Sequence, residues 1–191
     1  PVYVVEGDKP SSEKLKDAVT TKGNEKTVDE TKLPDTTDKV GDDTLTAPVT
    51  VTYGSGDNKR EETVNVPIKV VEGYPQIVPV DPKEAPKAED SINPDDYPAG
   101  SKFTYEKEPD TTTPGDKKVT VVAKDGEDKL VEVPTVVKVL PVVKPTGVTV
   151  LKDSTDLETM VKAKAQEVVD ALPKDSIPAG VTVTVKEVKE K

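Results

Sequence analysis

The chain has 191 residues, of which 32% are hydrophobic and 34% charged, and its formal net charge is −10. It contains no histidine and no cysteine, which excludes disulfides, thiolate metal sites and the usual serine, cysteine and zinc catalytic constellations. The acidic charge disfavours nucleic acid and anionic membranes as partners, and the single phenylalanine and absence of tryptophan suit several small domains better than one large core.

The first clear element in chain order is a β-hairpin. Valine and threonine alternate over residues 49–53, a turn rich in glycine follows at residues 54–58, and the alternation resumes at residues 63–67. Alternation of this kind places one face of each strand in a core, and glycine suits a tight turn. We therefore predict a hairpin here, and one or two helical turns within residues 11–20 and again within residues 84–92.

The same plan returns later in the chain. The sequence Pro-Asp-Thr-Thr stands at residues 34–37 and again at residues 109–112, and a second hairpin with an Asp-Gly turn is predicted over residues 119–133. A further valine run follows each hairpin, at residues 68–71 and 136–139, close to a Val-Pro step. Two homologous units are therefore visible.

A looser repeat introduces a third unit. Residues 97–100 read Tyr-Pro-Ala-Gly, and residues 177–180 read Ile-Pro-Ala-Gly. A helix is predicted between them, with Ser154 or Thr155 as N-cap and with its end before Pro173. We expect its apolar face to pack on a small sheet, the alternative being a partner-binding helix. That face is formed by Leu157, Met160, Val161, Val168, Val169 and Leu172.

These repeats predict three domains, at residues 1–73, 74–140 and 141–191. Prolines recur in residues 71–82 and 140–145, and we expect extended, semi-rigid connections there. No run approaches the roughly 18 consecutive apolar residues of a membrane span. Because the sequence begins at Pro1 rather than methionine, we expect it to be part of a longer protein.

The acidic residues give no clear sign of chemistry. Adjacent acids occur at residues 42–43, 61–62 and 95–96, in predicted loops and turns without an aromatic platform for a sugar. The spacing of a calcium-binding loop is missing. The sequence therefore predicts no enzyme, no catalytic or metal-ligating residue and no cofactor.

Residues 78–139 resemble the Rib domain of surface proteins from Gram-positive bacteria. The most specific part is the run Pro-Asp-Thr-Thr-Thr-Pro-Gly at residues 109–115, followed by a valine strand. The first unit resembles a divergent or extended Rib-like domain, and the third a divergent or truncated Rib-like unit with one helix. The resemblance implies a mainly β fold with minor α, made of tandem small Ig-like (Rib-type) β-sandwich domains arranged end to end. It also implies an extracellular, cell-wall-anchored protein.

Two functions remain open. The resemblance implies a stalk segment that projects an adhesive region from the cell, acting as a monomer without membrane contact of its own. The alternative is an adhesin module that binds a host surface protein or glycan directly, which would need exposed aromatic or apolar side chains. Tyr53, Tyr97, Phe103 and Tyr105 are the candidates for such contacts, although we expect most of them to be core residues.

Overall fold

A computed structural model describes residues 1–23, 25–142, 157–173 and 176–185. The described part is mainly β with little helix, as the sequence predicts. Its strands are β1 (Val2–Val5), β2 (Glu25–Thr27), β3 (Thr46–Tyr53), β4 (Arg60–Val71), β5 (Gln76–Pro79), β6 (Lys102–Tyr105), β7 (Gly115–Asp125) and β8 (Asp128–Leu140), and its helices are α1 (Ser12–Asp17) and α2 (Leu157–Asp170).

The strands form two four-stranded sheets with the same topology. The order is β1-β4-β3-β2 in the first sheet and β5-β8-β7-β6 in the second. In each sheet the short first strand runs parallel to the long last strand, β1 beside β4 and β5 beside β8. The sequence repeat is thus matched by a repeat of strand order.

Both predicted hairpins are confirmed, but the valine runs after them are not separate strands. Residues 68–71 continue β4, and residues 136–139 continue β8. In β4 the change of partner occurs at Pro67, whose Cα partner Thr46 begins β3, while the pairing with β1 starts at Ile68. Proline lacks a backbone N–H, so it fits a position where one ladder ends and another begins.

The core of the first sheet follows from strand alternation. Val49 and Val51 of β3 and Val70 of β4 are fully buried, and Val2 and Val4 of β1 join them. Helix α1 covers this face with Leu15, its one buried residue. Burial of a leucine side chain contributes about 2 kcal/mol, so Leu15 helps to hold α1 in place.

The repeated Pro-Asp-Thr-Thr sequence forms the same turn in both units. The Asp35 carboxylate accepts a hydrogen bond from the Thr37 backbone N–H at 3.0 Å, and the Asp110 carboxylate accepts one from the Thr112 N–H at 2.9 Å. These bonds favour the charged form. The pKa of Asp35 is lowered chiefly by the backbone bond from Thr37, and that of Asp110 chiefly by the hydroxyl bond from Thr112.

The third residue of this motif, a threonine, holds the loop that follows the first strand of each sheet. The buried Thr36 hydroxyl donates to the Asp8 carbonyl oxygen at 2.6 Å. At the equivalent place, the Asp81 N–H donates to the Thr111 carbonyl oxygen at 3.0 Å. In both units the motif therefore ties distant chain segments together.

The three helical predictions differ in outcome. Helix α1 confirms the turns predicted in residues 11–20, and Ala88–Ser91 forms a 3-10 turn within residues 84–92. Helix α2 is also present, but its predicted caps Ser154 and Thr155 lie outside the described residues. Its predicted inner face is at most half-buried where its side chains are described, and Met160 is 44% exposed. Residues 157–173 and 176–185 include no strand against which it could pack.

The chain separates into two compact units. One unit comprises Pro1–Tyr74, Lys87–Lys107 and Thr120–Thr135, and the other Pro75–Pro86, Glu108–Val119 and the described part of Val136–Lys191. The division into domains 1–73, 74–140 and 141–191 stays a prediction. No helix in the described ranges is long and apolar enough to cross a membrane.

Candidate interaction site around Tyr97 and Lys69

Both members of the acidic pair at residues 42–43, singled out in the sequence, have structural partners. Asp42 accepts hydrogen bonds from the N–H and hydroxyl of Thr44, at 3.0 and 2.6 Å, and Asp43 bonds to Lys69 at 3.0 Å. Within the part of the chain that the structure describes, no group of three or more acidic residues is placed to hold a metal ion. A shallow depression on α2 is lined by residues of that helix alone and brings no separate elements together.

The most developed contact is an aromatic cluster in the first compact unit. Tyr97 is only 8% exposed, and it follows a 3-10 turn, Pro94–Asp96, whose proline and Asn93 cap fix the direction of the chain. Its ring stacks on Tyr3 with centroids 5.5 Å apart and meets the edge of Phe103 at 5.1 Å. Both geometries are among those that aromatic pairs prefer.

The Tyr97 hydroxyl is buried and has no hydrogen-bond partner among the described residues. Burial, followed by the charge of Asp96, raises the pKa of this phenol well above its usual range. A buried hydroxyl without a partner is destabilising, so the ring rather than the hydroxyl accounts for the stability of this contact.

Lys69 lies beside the cluster because the register of the sheet puts it there. It is the Cα partner of Tyr3 in the parallel pair of β1 and β4. Its ammonium group is 3.0 Å from Asp43 and 3.3 Å from Asp96, and its side chain is 19% exposed. The hydrogen bond to Asp43 is the main cause that raises the pKa of Lys69, and the hydrogen bond to Asp96 raises it further. The lysine is therefore held in its charged form by two carboxylates.

Two further contacts belong to the same compact unit. The Lys14 ammonium group on α1 donates to the Leu130 carbonyl oxygen at 2.6 Å, and burial lowers the pKa of this lysine. Gly73 lies so close to the segment around Pro134 that an added Cβ would be 2.5 Å from the Pro134 carbonyl oxygen.

Next along the chain, the Tyr74 carbonyl oxygen accepts a hydrogen bond from the Thr135 hydroxyl at 3.0 Å. The four residues between β4 and β5 are therefore packed in place. The linker predicted over residues 71–82 is shorter than expected, because Gln76–Pro79 forms strand β5.

A second lysine contact lies in the other compact unit. Lys138 on β8 is 3.5 Å from the Asp116 carboxylate and donates to the Ala179 carbonyl oxygen at 2.6 Å. The other oxygen of Asp116 accepts a hydrogen bond from the Ala179 N–H at 3.3 Å. One lysine and one aspartate thus bind both backbone groups of the same alanine.

The four aromatic residues that the sequence offers for partner binding do not form one exposed patch. Tyr97 and Phe103 belong to the aromatic cluster, whereas Tyr105 is buried and donates to the Lys87 carbonyl oxygen at 3.2 Å. The half-buried Tyr53 shares a hydrogen bond of 3.0 Å with the Thr21 hydroxyl. Their role in partner binding stays a prediction.

Sequence reasoning missed Tyr3 and both lysines. The Val-Tyr-Val-Val run at residues 2–5 does signal a strand, but nothing in it identifies Tyr97 as the partner of its tyrosine. The lysines come together with their partners only through the parallel strand register and contacts between distant segments.

Comparison with known proteins gives a family match and a similar solved structure, each over part of the chain. Residues 73–139 match the Rib domain family, so the chain contains a Rib domain in this segment, as the sequence resemblance indicates. The chain is also similar to a solved Rib structure from Streptococcus pyogenes, with 28% identity over 36% of this chain and 89% of that one, and a TM-score of 0.33. No match was found among curated proteins. The Rib family suggests a repeat module of a bacterial surface protein, and this class is structural rather than enzymatic.

Proposed function

We propose that this chain is a stalk segment of a cell-wall-anchored bacterial surface protein, which holds an adhesive region away from the cell. In this proposal the two sheets belong to small Ig-like β-sandwich domains arranged end to end. The assignment of the Rib domain supports the extracellular setting.

The parallel pairing of the first and last strands carries the proposal. Val2 to Val5 pair with Ile68 to Val71, and Gln76 to Pro79 pair with Val137 to Leu140. When two paired strands run in the same direction, the chain enters the pair from one side and leaves it on the other. Tension along the chain then acts along both strands, so the bonds of the ladder resist it together rather than one after another. This arrangement suits a segment that transmits force between its ends.

The placement of the aromatic side chains supports a stalk over direct adhesion. Binding surfaces are usually anchored by exposed aromatic residues that become buried against the partner. Tyr97 and Tyr105 are already buried inside the chain, and Tyr53 is engaged with Thr21. The direct-adhesin alternative would therefore have to use other residues.

A replacement experiment on the cell surface tests the proposal. An epitope tag is fused ahead of residue 1 in a wall-anchored protein, and its accessibility to an antibody is measured on intact Gram-positive cells. Three versions are compared: the natural segment, a deletion, and an unrelated Ig-like tandem of the same length. We expect the deletion to hide the tag and the unrelated tandem to expose it again.

Direct adhesion is measured in parallel with the purified chain. We expect no saturable binding to host epithelial cells or to a glycan array at micromolar concentration. Saturable binding of the chain, together with a tag that stays accessible after the deletion, would overturn the stalk proposal in favour of an adhesin module.

A further inference from the structure

The two Pro-Ala-Gly sequences form the same turn. The Ser101 N–H donates to the Pro98 carbonyl oxygen at 3.1 Å, and the Val181 N–H donates to the Pro178 carbonyl oxygen at 3.1 Å. The glycines of both turns have positive φ angles, 88° for Gly100 and 74° for Gly180. Such φ values favour glycine, which explains why the glycine is kept in both copies.

The lysines that these turns approach also occupy matching positions. Lys69 is the Cα partner of the second residue of β1, Tyr3, and Lys138 is the Cα partner of the second residue of β5, Ile77. Both lysines lie on the last strand of their sheet, and their side chains are similarly buried, at 19% and 18% exposure.

Each lysine is also held by an aspartate near the start of the preceding strand of its sheet. Asp43 lies three residues before β3 and is 3.0 Å from Lys69. Asp116 is the second residue of β7 and is 3.5 Å from Lys138. The lysine and its aspartate therefore form a pair that recurs in both sheets.

Each lysine is bound at its turn, by a residue before the turn in one case and within it in the other. In the first compact unit, Asp96 and Tyr97 directly precede the turn at residues 98–101, and Asp96 binds Lys69 while Tyr97 stacks on Tyr3. In the second, the carbonyl oxygen of Ala179, within the turn at residues 178–181, accepts a hydrogen bond from Lys138. In both cases the turn therefore lies at the same position of the preceding sheet, the lysine on its last strand.

We propose that the Pro-Ala-Gly turn is a docking element that fixes each repeat unit of the sequence, as predicted at residues 1–73, 74–140 and 141–191, to the last-strand lysine of the repeat unit before it. The partner of each lysine is therefore the next repeat unit along the chain. This proposal does not rest on the stalk function, because it concerns only how consecutive units attach to each other.

The two sites differ in their apolar part. Tyr3 is covered by Tyr97 and is only 9% exposed, whereas Ile77, at the equivalent position, is 60% exposed. The first attachment therefore combines an aromatic stack with an ion pair, and the second relies on the polar contacts of Lys138 and Asp116 with Ala179. We expect loss of the lysine to affect the second attachment more strongly than the first.

Spin-label distance measurements on the full chain test the proposal, because the chain has no natural cysteine. Labels at Asp57→Cys and Glu127→Cys report on the first attachment, and labels at Lys83→Cys and Thr182→Cys report on the second. All four positions are exposed, and each pair lies within one compact unit.

Lys69→Met and Lys138→Met remove the charge and keep an apolar stem. We expect Lys138→Met to widen the distance distribution of its own label pair about twofold, since weakly attached domains move by default. We expect Lys69→Met to widen its own distribution by less than twofold, because the stack of Tyr97 on Tyr3 remains, and each variant to leave the other pair unchanged. Lys59→Met is the matched control, because it breaks an exposed ion pair with Glu61. We expect it to change neither distribution.

Conservative variants keep the test decisive if a lysine variant fails to fold. Lys69→Arg retains a charged donor and is expected to keep the natural width. Asp96→Asn alters only the carboxylate beside the turn and is expected to widen the first distribution. Natural widths in Lys69→Met or in Asp96→Asn, with an unchanged far-UV circular dichroism spectrum, would overturn the proposal.

Discussion

Replacing Tyr97 with phenylalanine is expected to stabilise the chain, and replacing it with alanine is expected to destabilise it. The ring is 8% exposed and contacts Tyr3 and Phe103, whereas the hydroxyl is buried without a partner among the described residues. Phenylalanine keeps the ring contacts and removes the desolvated hydroxyl, a gain of about 1 kcal/mol. Alanine removes the ring as well, at a cost of about 3 to 5 kcal/mol.

The assay is urea-induced unfolding followed by far-UV circular dichroism, in which the midpoint reports stability when the slope is unchanged. Tyr53→Phe is the matched control, because the hydroxyl of Tyr53 shares a hydrogen bond of 3.0 Å with Thr21. Its loss is expected to cost about 1 kcal/mol. If Tyr97→Phe lowers the midpoint as much as the control does, the hydroxyl has a partner in solution and the reasoning is refuted.

Three further predictions concern the pH dependence of stability, the close packing at Gly73 and the parallel ladder of β1 and β4. Because burial raises the pKa of Tyr97, the folded chain keeps this proton while the unfolded chain releases it above about pH 10, so stability should fall as the pH rises. Unfolding midpoints at about pH 9 and pH 11 should show a smaller fall in Tyr97→Phe than in the natural chain. Gly73→Ala should cost about 2 kcal/mol in urea unfolding, because its Cβ would lie 2.5 Å from the Pro134 carbonyl oxygen, and an unchanged midpoint would contradict this close packing. Val4→Pro should weaken the parallel ladder of β1 and β4 and lower the force at which the first sheet unfolds in single-molecule pulling. Equal forces in Val4→Pro and the natural chain would mean that this ladder does not bear the load.

Local features of the sequence were enough to predict the hairpins but not strand β5. Residues 49–66 and 119–133 alternate around glycine turns, and both signals act between neighbours in the chain. Strand β5 has only four residues, ends in a proline and follows another, so it reads as a linker. Its pairing with β8 joins residues about 60 positions apart, and no local pattern encodes such a parallel contact.

The candidate site shows the same division between local and distant information. The burial of most aromatic residues could be expected, because a chain with few large apolar side chains needs them in its core. That Tyr97 would stack on Tyr3 could not, because the contact requires β1 to pair with β4 and residues 94–97 to fold back on that pair. The repeated Pro-Ala-Gly turn was visible in the sequence, but its lysine partners were not.

The aspartate partners explain why these lysines suit a docking role. A free lysine side chain loses considerable rotamer entropy when it is fixed, and a binding contact must offset that loss. Lys69 is bound by Asp43 and Lys138 by Asp116, so each is oriented by its own sheet. The turn that arrives then meets an ammonium group already in place, and more of its contact energy remains for attachment. Because each aspartate and its lysine lie in the same unit, every unit with this pair could receive a following unit without any change to its own fold.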